Sequence, residues 1–315
     1  MNILFVNREP SLLGGDTNKI AQYSIHLEEF GIECDYAWDV NAVDFTKYDV
    51  IHGFHLGHEL SYKFFLEAQR VKKPYVLSPI YFPDKGMPSG YKAEMLRDAD
   101  VVLYLSEGEK KFAEEEAGVE ATKWYLLPNG IDPVFSKEGR MYSHPNARDE
   151  DYVLCVGRID GRKNQARLAQ ACRNLDVPLL LVGEIVTNEA ANQVQVISNE
   201  WNGIWWEDKA PHEALAECYR GAKVLACPST YEIWPNVVAE GGLAGCNLVV
   251  SKNSLTFSDL EGVFSCEPKV ASIEDAVGKA YAAPRGTGKF DVLFKEYTWE
   301  RAARRLKEVY EEVAV

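Results

Sequence analysis

No stretch of this sequence stays apolar for the roughly 18 residues that a membrane-spanning helix needs. It has no C-x-x-C pair; its seven cysteines, an odd number, are scattered and read as core thiols in a reducing compartment rather than as a disulfide framework. The G-x-G-x-x-G fingerprint is missing too, which disfavours a dinucleotide oxidoreductase. Basic charge is in short supply: 34 Lys and Arg stand against 48 Asp and Glu, a formal net charge of −14. That balance argues against a nucleic-acid binder and against unspecific attraction to anionic membranes. No signal peptide is apparent, since Met1 leads straight into an apolar run. A cytoplasmic protein without a transmembrane segment is expected.

At 315 residues the chain exceeds the size at which single cores stop growing, so two domains are expected. Both halves alternate short apolar runs with helical stretches, which predicts an α/β protein of two Rossmann-like domains. Residues 136–150 are polar, include Pro145, and read as the linker. The first domain is placed at residues 1–138 and the second at 151–298, with an amphipathic helix over 299–315.

In the first half a strand over residues 2–6 leads into a loop with Gly14 and Gly15. A helix is expected over 18–30, capped by Asp16 or Thr17 and stopped by Gly31. A strand over 49–53 carries His52 near its end, with His55 and His58 just beyond. Three histidines over seven residues raise the idea of a metal site, but no nearby cysteine or second ligand group supports it. Asp98-Ala99-Asp100 looks superficially like a manganese-binding D-x-D; it precedes the apolar run 101–105 and reads as a helix end entering a strand.

The second half is organised around residues 229–251. A buried strand stops at Pro228, a loop carries Glu232, and Pro235 suits the first position of a helix that carries Glu240. Val237, Val238, Leu243 and Ala244 are expected inward, with Gly245 ending the helix in a left-handed turn. Trp234 offers no side-chain acceptor to cap that helix, so the amides of Asn236, Val237 and Val238 are expected to be left for an anion. Upstream, the strand 152–156 opens into Gly157-Arg158-Ile159-Asp160-Gly161-Arg162-Lys163-Asn164. A strand-to-helix turn of this kind offers free N–H groups, and its cations can neutralise a diphosphate.

Glu232 and Glu240, with seven residues between them, resemble the E-x7-E motif of retaining GT-B glycosyltransferases of family 4, the group 1 type. The turn from Gly157 resembles that family's G-R-(L/I)-x-x-x-K-(G/N) loop. Leu127-Pro128-Asn129-Gly130-Ile131-Asp132 resembles the turn that ends its first domain, and Tyr297-Thr298-Trp299-Glu300 the start of its last helix. The resemblance implies two domains facing across a cleft, with the C-terminal helix returning to the first. It implies that Arg158 and Lys163 hold a nucleotide diphosphate, Arg162 much less so, that Glu232 orients the donor sugar and that Glu240 accepts from the ribose. Gly157, Trp234 and the amides from Asn236 onward would border the donor, with Gly15 approaching its phosphates. His52 or His55 would line the acceptor side, and Tyr81 is a stand-in for a histidine that many members carry at the position of Ile80. The implied activity is transfer of a sugar from a nucleoside-diphosphate sugar to a hydroxyl of a carbohydrate or lipid-linked acceptor, without metal or other cofactor. Alternatives are a related epimerase or phosphorylase, or an inactive nucleotide-sugar-binding protein.

Overall fold

Runs such as Ile3-Leu4-Phe5-Val6 and Val153-Leu154-Cys155-Val156 have no polar face, so they are stable only as strands covered on both sides. The computed structural model describes residues 1–9, 15–81, 88–143, 151–208 and 210–314. It places these runs in two parallel sheets, each within its own compact unit: residues 1–130 with 297–315, and residues 131–296.

The first unit contains β1 (Asn2–Val6), α1 (Gly15–Glu28), β2 (Glu33–Ala37), β3 (Val50–Phe54), α2 (Glu59–Val71), β4 (Tyr75–Ser78), α3 (Ser89–Asp98), β5 (Val101–Tyr104), α4 (Glu107–Ala117) and β6 (Trp124–Leu126). Its strand order is β2-β1-β3-β4-β5-β6. Helix α1 begins at Gly15, three residues before its expected start. Asp16 therefore stands in the first turn, where a carboxylate favours the helix dipole, rather than at the cap. Asp98 closes α3 and pairs with Arg97, while Asp100 accepts from the Tyr75 amide at 2.8 Å, so the D-x-D is a helix-to-strand turn.

The second unit contains β7 (Val153–Val156), α5 (Gln165–Leu175), β8 (Leu179–Val182), α6 (Asn188–Glu200), β9 (Ile204–Glu207), α7 (His212–Gly221), β10 (Val224–Cys227), α8 (Asn236–Leu243), β11 (Asn247–Ser251), β12 (Phe264–Cys266), α9 (Val270–Ala282) and α10 (Phe290–Phe294). Its order is β12-β11-β10-β7-β8-β9. Residues 131–138, expected with the first domain, pack here instead: Phe135 meets Tyr219 edge-on at 5.4 Å, and Arg220 donates to the carbonyls of Val134, Ser136 and Arg140.

The chain ends in α11 (Trp299–Val313), which belongs to the first unit. The Thr298 hydroxyl caps it by accepting from the Arg301 amide at 3.2 Å. Its buried stripe, Trp299, Ala302, Ala303, Leu306, Val309 and Tyr310, lies against α1, with Tyr23 edge-on to Trp299. Gly130 sits so close to Trp299 that a Cβ there would lie 2.3 Å from the Trp299 nitrogen. Among the described residues no helix is long and apolar enough to cross a membrane.

Candidate active site

The carboxyl ends of parallel strands are where an open α/β sheet leaves room for a ligand. In the second unit, β7 ends in Gly157 at φ +139, a turn that only glycine adopts without strain. A Cβ at Gly157 would meet Lys163 Cε at 3.2 Å, so the bare glycine lets the lysine lie over the turn. The Lys163 amide donates to Asp160 Oδ1 at 2.8 Å, and Asn164, in a left-handed conformation, donates through Nδ2 to the Pro228 carbonyl at 2.9 Å. The Thr230 amide donates to the Arg162 carbonyl at 2.8 Å. These bonds tie the turn after β7 to the loop after β10.

That loop carries Glu232, only 6% exposed. Its Oε1 accepts from Lys163 Nζ at 2.6 Å and from Arg162 Nη1 at 2.8 Å, and Arg162 also donates to the Tyr231 carbonyl at 3.0 Å. Burial by itself would raise the Glu232 pKa. The charges of Lys163 and Arg162 overcome that and hold the carboxyl below its ordinary value. Burial likewise works against the Lys163 charge, and Glu232 outweighs it, so the lysine is pushed up. Arg158 is half-buried in the same turn, its carbonyl accepting from Gln165 Nε2, and it is not among the cations on Glu232.

Helix α8 follows. Pro235, at φ −74 and ψ 99, is its cap rather than its first helical residue. The Val238 amide donates to the Pro235 carbonyl at 2.9 Å. The expectation that the Val238 amide would be left for an anion is therefore corrected: the tight turn at the proline occupies it. Val238, Leu243 and Ala244 are buried as expected, Val237 only partly, and Gly245 at φ +83 ends the helix. Trp234 packs against Phe257 at 4.6 Å between ring centres. Glu240, half-buried, accepts from the Tyr219 hydroxyl at 2.6 Å. Burial raises its pKa, and the Tyr219 bond offsets that only in part. A cavity of about 550 Å³ opens at the opposite, amino-terminal edge of this sheet, beside Trp201 and Tyr281; no cation lines it, so it does not suit a diphosphate.

In the first unit the acceptor-side expectations divide. His52 is fully buried, with Nδ1 on the Tyr310 hydroxyl at 2.6 Å, Nε2 on Ser78 Oγ at 2.9 Å, and its ring stacked on Phe54. Burial drives its pKa well below the ordinary value. It is a satisfied core histidine, and the expectation that it lines an acceptor is corrected. The same holds for Tyr81, at 1% exposure: its hydroxyl accepts from Lys92 Nζ at 2.9 Å and its amide donates to Glu109. His55 lies just beyond the carboxyl end of β3, at φ +71 and 9% exposed, with Nε2 3.1 Å from Asp16 Oδ2. Asp16 also accepts from Asn7 Nδ2 and Arg8 Nη2. Gly15 opens α1 and is exposed, while Gly14 lies outside the described residues. His58 stacks on His55, and among the described residues no group of three or more His, Cys, Asp or Glu is placed to hold a metal ion.

Residues 137–281 match the family described as glycosyl transferases group 1. In this stretch the second unit is similar to group 1 glycosyltransferases. Over 168 residues, 52% of this chain, the sequence is 26% identical to the N-acetylgalactosamine-N,N'-diacetylbacillosaminyl-diphospho-undecaprenol 4-alpha-N-acetylgalactosaminyltransferase of Campylobacter jejuni; the match spans 44% of that relative. The fold is similar to that of sucrose-phosphate synthase from Thermosynechococcus elongatus, with a TM-score of 0.80 and 18% identity over 99% of this chain and 98% of that one. It is also similar to a glycosyltransferase from Rickettsia africae, with a TM-score of 0.78 and 13% identity at the same coverage. The chain has the GT-B fold.

Within the matched stretch the structure brings Lys163 and Glu232 together, sets Gly157 beneath the lysine, and keeps Glu240 apart with Tyr219. Arg162 is the residue that sequence reasoning undervalued. Its position beside Lys163 was visible, but its partner lies 70 residues downstream, and only the pairing of two loops reveals it.

Proposed function

We propose that this protein is a retaining glycosyltransferase that moves a sugar from a nucleoside-diphosphate sugar to a hydroxyl acceptor. The observation that carries this reading is the Glu232–Lys163–Arg162 cluster, buried at the carboxyl edge of a parallel sheet beside a glycine turn. In the reaction the bond from the sugar's anomeric carbon to the diphosphate breaks with its electron pair leaving on the phosphate, the acceptor oxygen bonds the anomeric carbon on the same face, and the acceptor's proton passes to the departing phosphate oxygen. Lys163 and Arg158 would stabilise that growing negative charge. Glu232 would hold the sugar hydroxyls, and Glu240 the ribose. With two cations on one oxygen and its pKa held down, Glu232 is a weak base. That supports retention over a mechanism in which a carboxylate deprotonates the attacking hydroxyl. The Campylobacter relative's name describes a lipid-linked diphospho-undecaprenol, and a lipid-linked or free glycan is the acceptor class proposed here. We place the protein in the cytoplasm, where scattered thiols stay reduced.

Incubation with UDP-, GDP-, ADP- and TDP-sugars in turn tests the reading. Slow release of the nucleoside diphosphate from one donor, faster with a glycan acceptor, is expected. An isomerised donor would mean an epimerase, and binding without turnover an inactive relative. NMR of the product should show the donor's anomeric configuration preserved; an inverted linkage would refute retention.

A further inference from the structure

Both the backbone and the side chain of Arg162 grip the segment that carries Glu232. Its carbonyl accepts from the Thr230 amide at 2.8 Å, and its Nη1 donates to the Tyr231 carbonyl at 3.0 Å and to Glu232 Oε1 at 2.8 Å. Lys163 is held differently. Its ammonium makes one bond, to the same Oε1, and lies 3.6 Å from where a Cβ on Gly157 would stand, facing the turn where a phosphate would approach. An ammonium with a single carboxylate bond can swing toward a phosphate on its flexible stem, whereas a guanidinium fixed to two acceptors on one loop has little reason to leave.

We propose that Arg162 is the positioning residue for Glu232, staying on the carboxylate and the Tyr231 carbonyl when Lys163 turns to the diphosphate of an incoming donor. This rests on the transferase reading above and deepens it. Were both cations phosphate ligands, donor binding would strip Glu232 of its partners just as the sugar arrived. A buried carboxylate without a partner takes up a proton rather than stay charged, and a protonated Glu232 is a poorer acceptor for the sugar hydroxyls. One cation for the phosphate and one for the glutamate avoids the conflict. Also set against Glu232 are Cys227 at the end of β10, Ser229 in the loop after it, Cys155 in β7, and the 253–255 segment, whose Asn253 carbonyl and Leu255 amide bond the Glu232 backbone; none of these brings positive charge.

The test compares Arg162→Met and Arg162→Lys with Lys163→Met. The ligand-free proteins, labelled with carbon-13 at the glutamate carboxyls, are titrated by NMR, with the Glu232 signal assigned by Glu232→Gln. Arg162→Met should move the Glu232 midpoint up by about one unit or more, and Arg162→Lys should restore much of the shift. Calorimetry then follows UDP, GDP, ADP or TDP, whichever binds the wild-type chain most tightly. Its affinity should stay within about threefold in Arg162→Met and fall about tenfold or more in Lys163→Met. Equal losses in the two variants would make Arg162 a phosphate ligand and overturn the proposal. So would a Glu232 midpoint that does not move, which would leave Arg162 as a clasp between loops only. If none of the four diphosphates binds the wild-type chain, the transferase reading falls, and the carboxyl titration alone still decides whether Arg162 sets Glu232.

Discussion

The Tyr219 hydroxyl on α7 donates to Glu240 Oε2 on α8 at 2.6 Å. One carboxylate oxygen of the second glutamate is thereby fixed from inside the unit, and on the proposed reading the other would meet a ligand hydroxyl. Tyr219 is itself fully buried and edge-on to Phe135, so the donor cannot wander. Phe135 and Tyr219 thus set the orientation of the Glu240 carboxylate.

Tyr219→Phe should therefore weaken nucleoside diphosphate binding in a pH-dependent way. Burial raises the Glu240 pKa, and the Tyr219 bond pulls it back down. Without the hydroxyl the pKa rises further, so the carboxylate that the ribose needs is lost at a higher pH as the solution is acidified. Calorimetry should show a larger loss at pH 6 than at pH 8, reaching several-fold at the lower value. The same pH dependence in variant and wild type would show that the hydroxyl does not act through the Glu240 charge.

Glu232 has the opposite sign. Its carboxyl is held below the ordinary value of 4.5, so its ion pairs add stability that is fully present above that value and is lost as pH falls through the folded-state pKa. Glu232→Gln should destabilise the protein by about 2 kcal/mol at pH 7, reduced from a fully buried pair because Arg162 is a quarter exposed. Urea unfolding at successively lower pH should show the gap to wild type closing below 4.5. A gap that stays constant would place the stabilisation elsewhere.

How much of this was legible beforehand follows from which signals are local. The strands of both units and the stop at Gly245 were readable because apolar runs and a glycine after a helix act within a few residues. Strand β2 was not: Glu33 and Asp35 alternate with half-buried partners on an edge strand, and charge hides the pattern. At the candidate site, Glu232 and Lys163, singled out by motif resemblance, are brought into contact. The fate of His52 was not legible, because its partners Ser78 and Tyr310 lie 26 and 258 residues away. A histidine at the end of a strand reads the same in sequence whether it faces a ligand or a tyrosine from the last helix.

Gly183 packs against the turn at Gly157. It adopts φ +153, and a Cβ there would lie 2.1 Å from the Gly157 carbonyl oxygen. Gly183→Ala should destabilise the protein by about 2 kcal/mol or more and weaken diphosphate binding by displacing the Gly157 turn. Gly161→Ala is the control, since a Cβ there meets nothing within 4 Å. Comparable thermal-melt losses in the two variants would show that the close approach to Gly157 carries no stability.

Activity should survive removal of divalent metal. On the proposed reading Arg158 and Lys163, on the turn after β7, would offset the charge of a leaving diphosphate in place of a metal. Turnover in EDTA should equal that in magnesium or manganese to within about twofold, well under the 1.4 kcal/mol that a tenfold change represents. Activity abolished by EDTA and restored by either ion would mean that the diphosphate is held by metal after all.

The two glutamates should separate by role. Glu232 precedes α8 and sits with Lys163 at the strand's carboxyl end, where a transferred sugar would lie; Glu240 stands on α8 itself, held by Tyr219. Each would accept hydrogen bonds from ligand hydroxyls, worth about 1.5–3 kcal/mol when one partner is charged. Glu240→Gln should weaken binding of the free nucleoside diphosphate by roughly tenfold or more, because the ribose is present in that ligand. Glu232→Gln removes a carboxylate whose partner exists only on the sugar, so turnover should fall while diphosphate affinity changes little. It also releases Lys163 from its ion pair, which favours phosphate contact and works against any loss of affinity. Titration of both variants with the cognate diphosphate decides between the roles: equal losses, or a larger loss at Glu232, would exchange them.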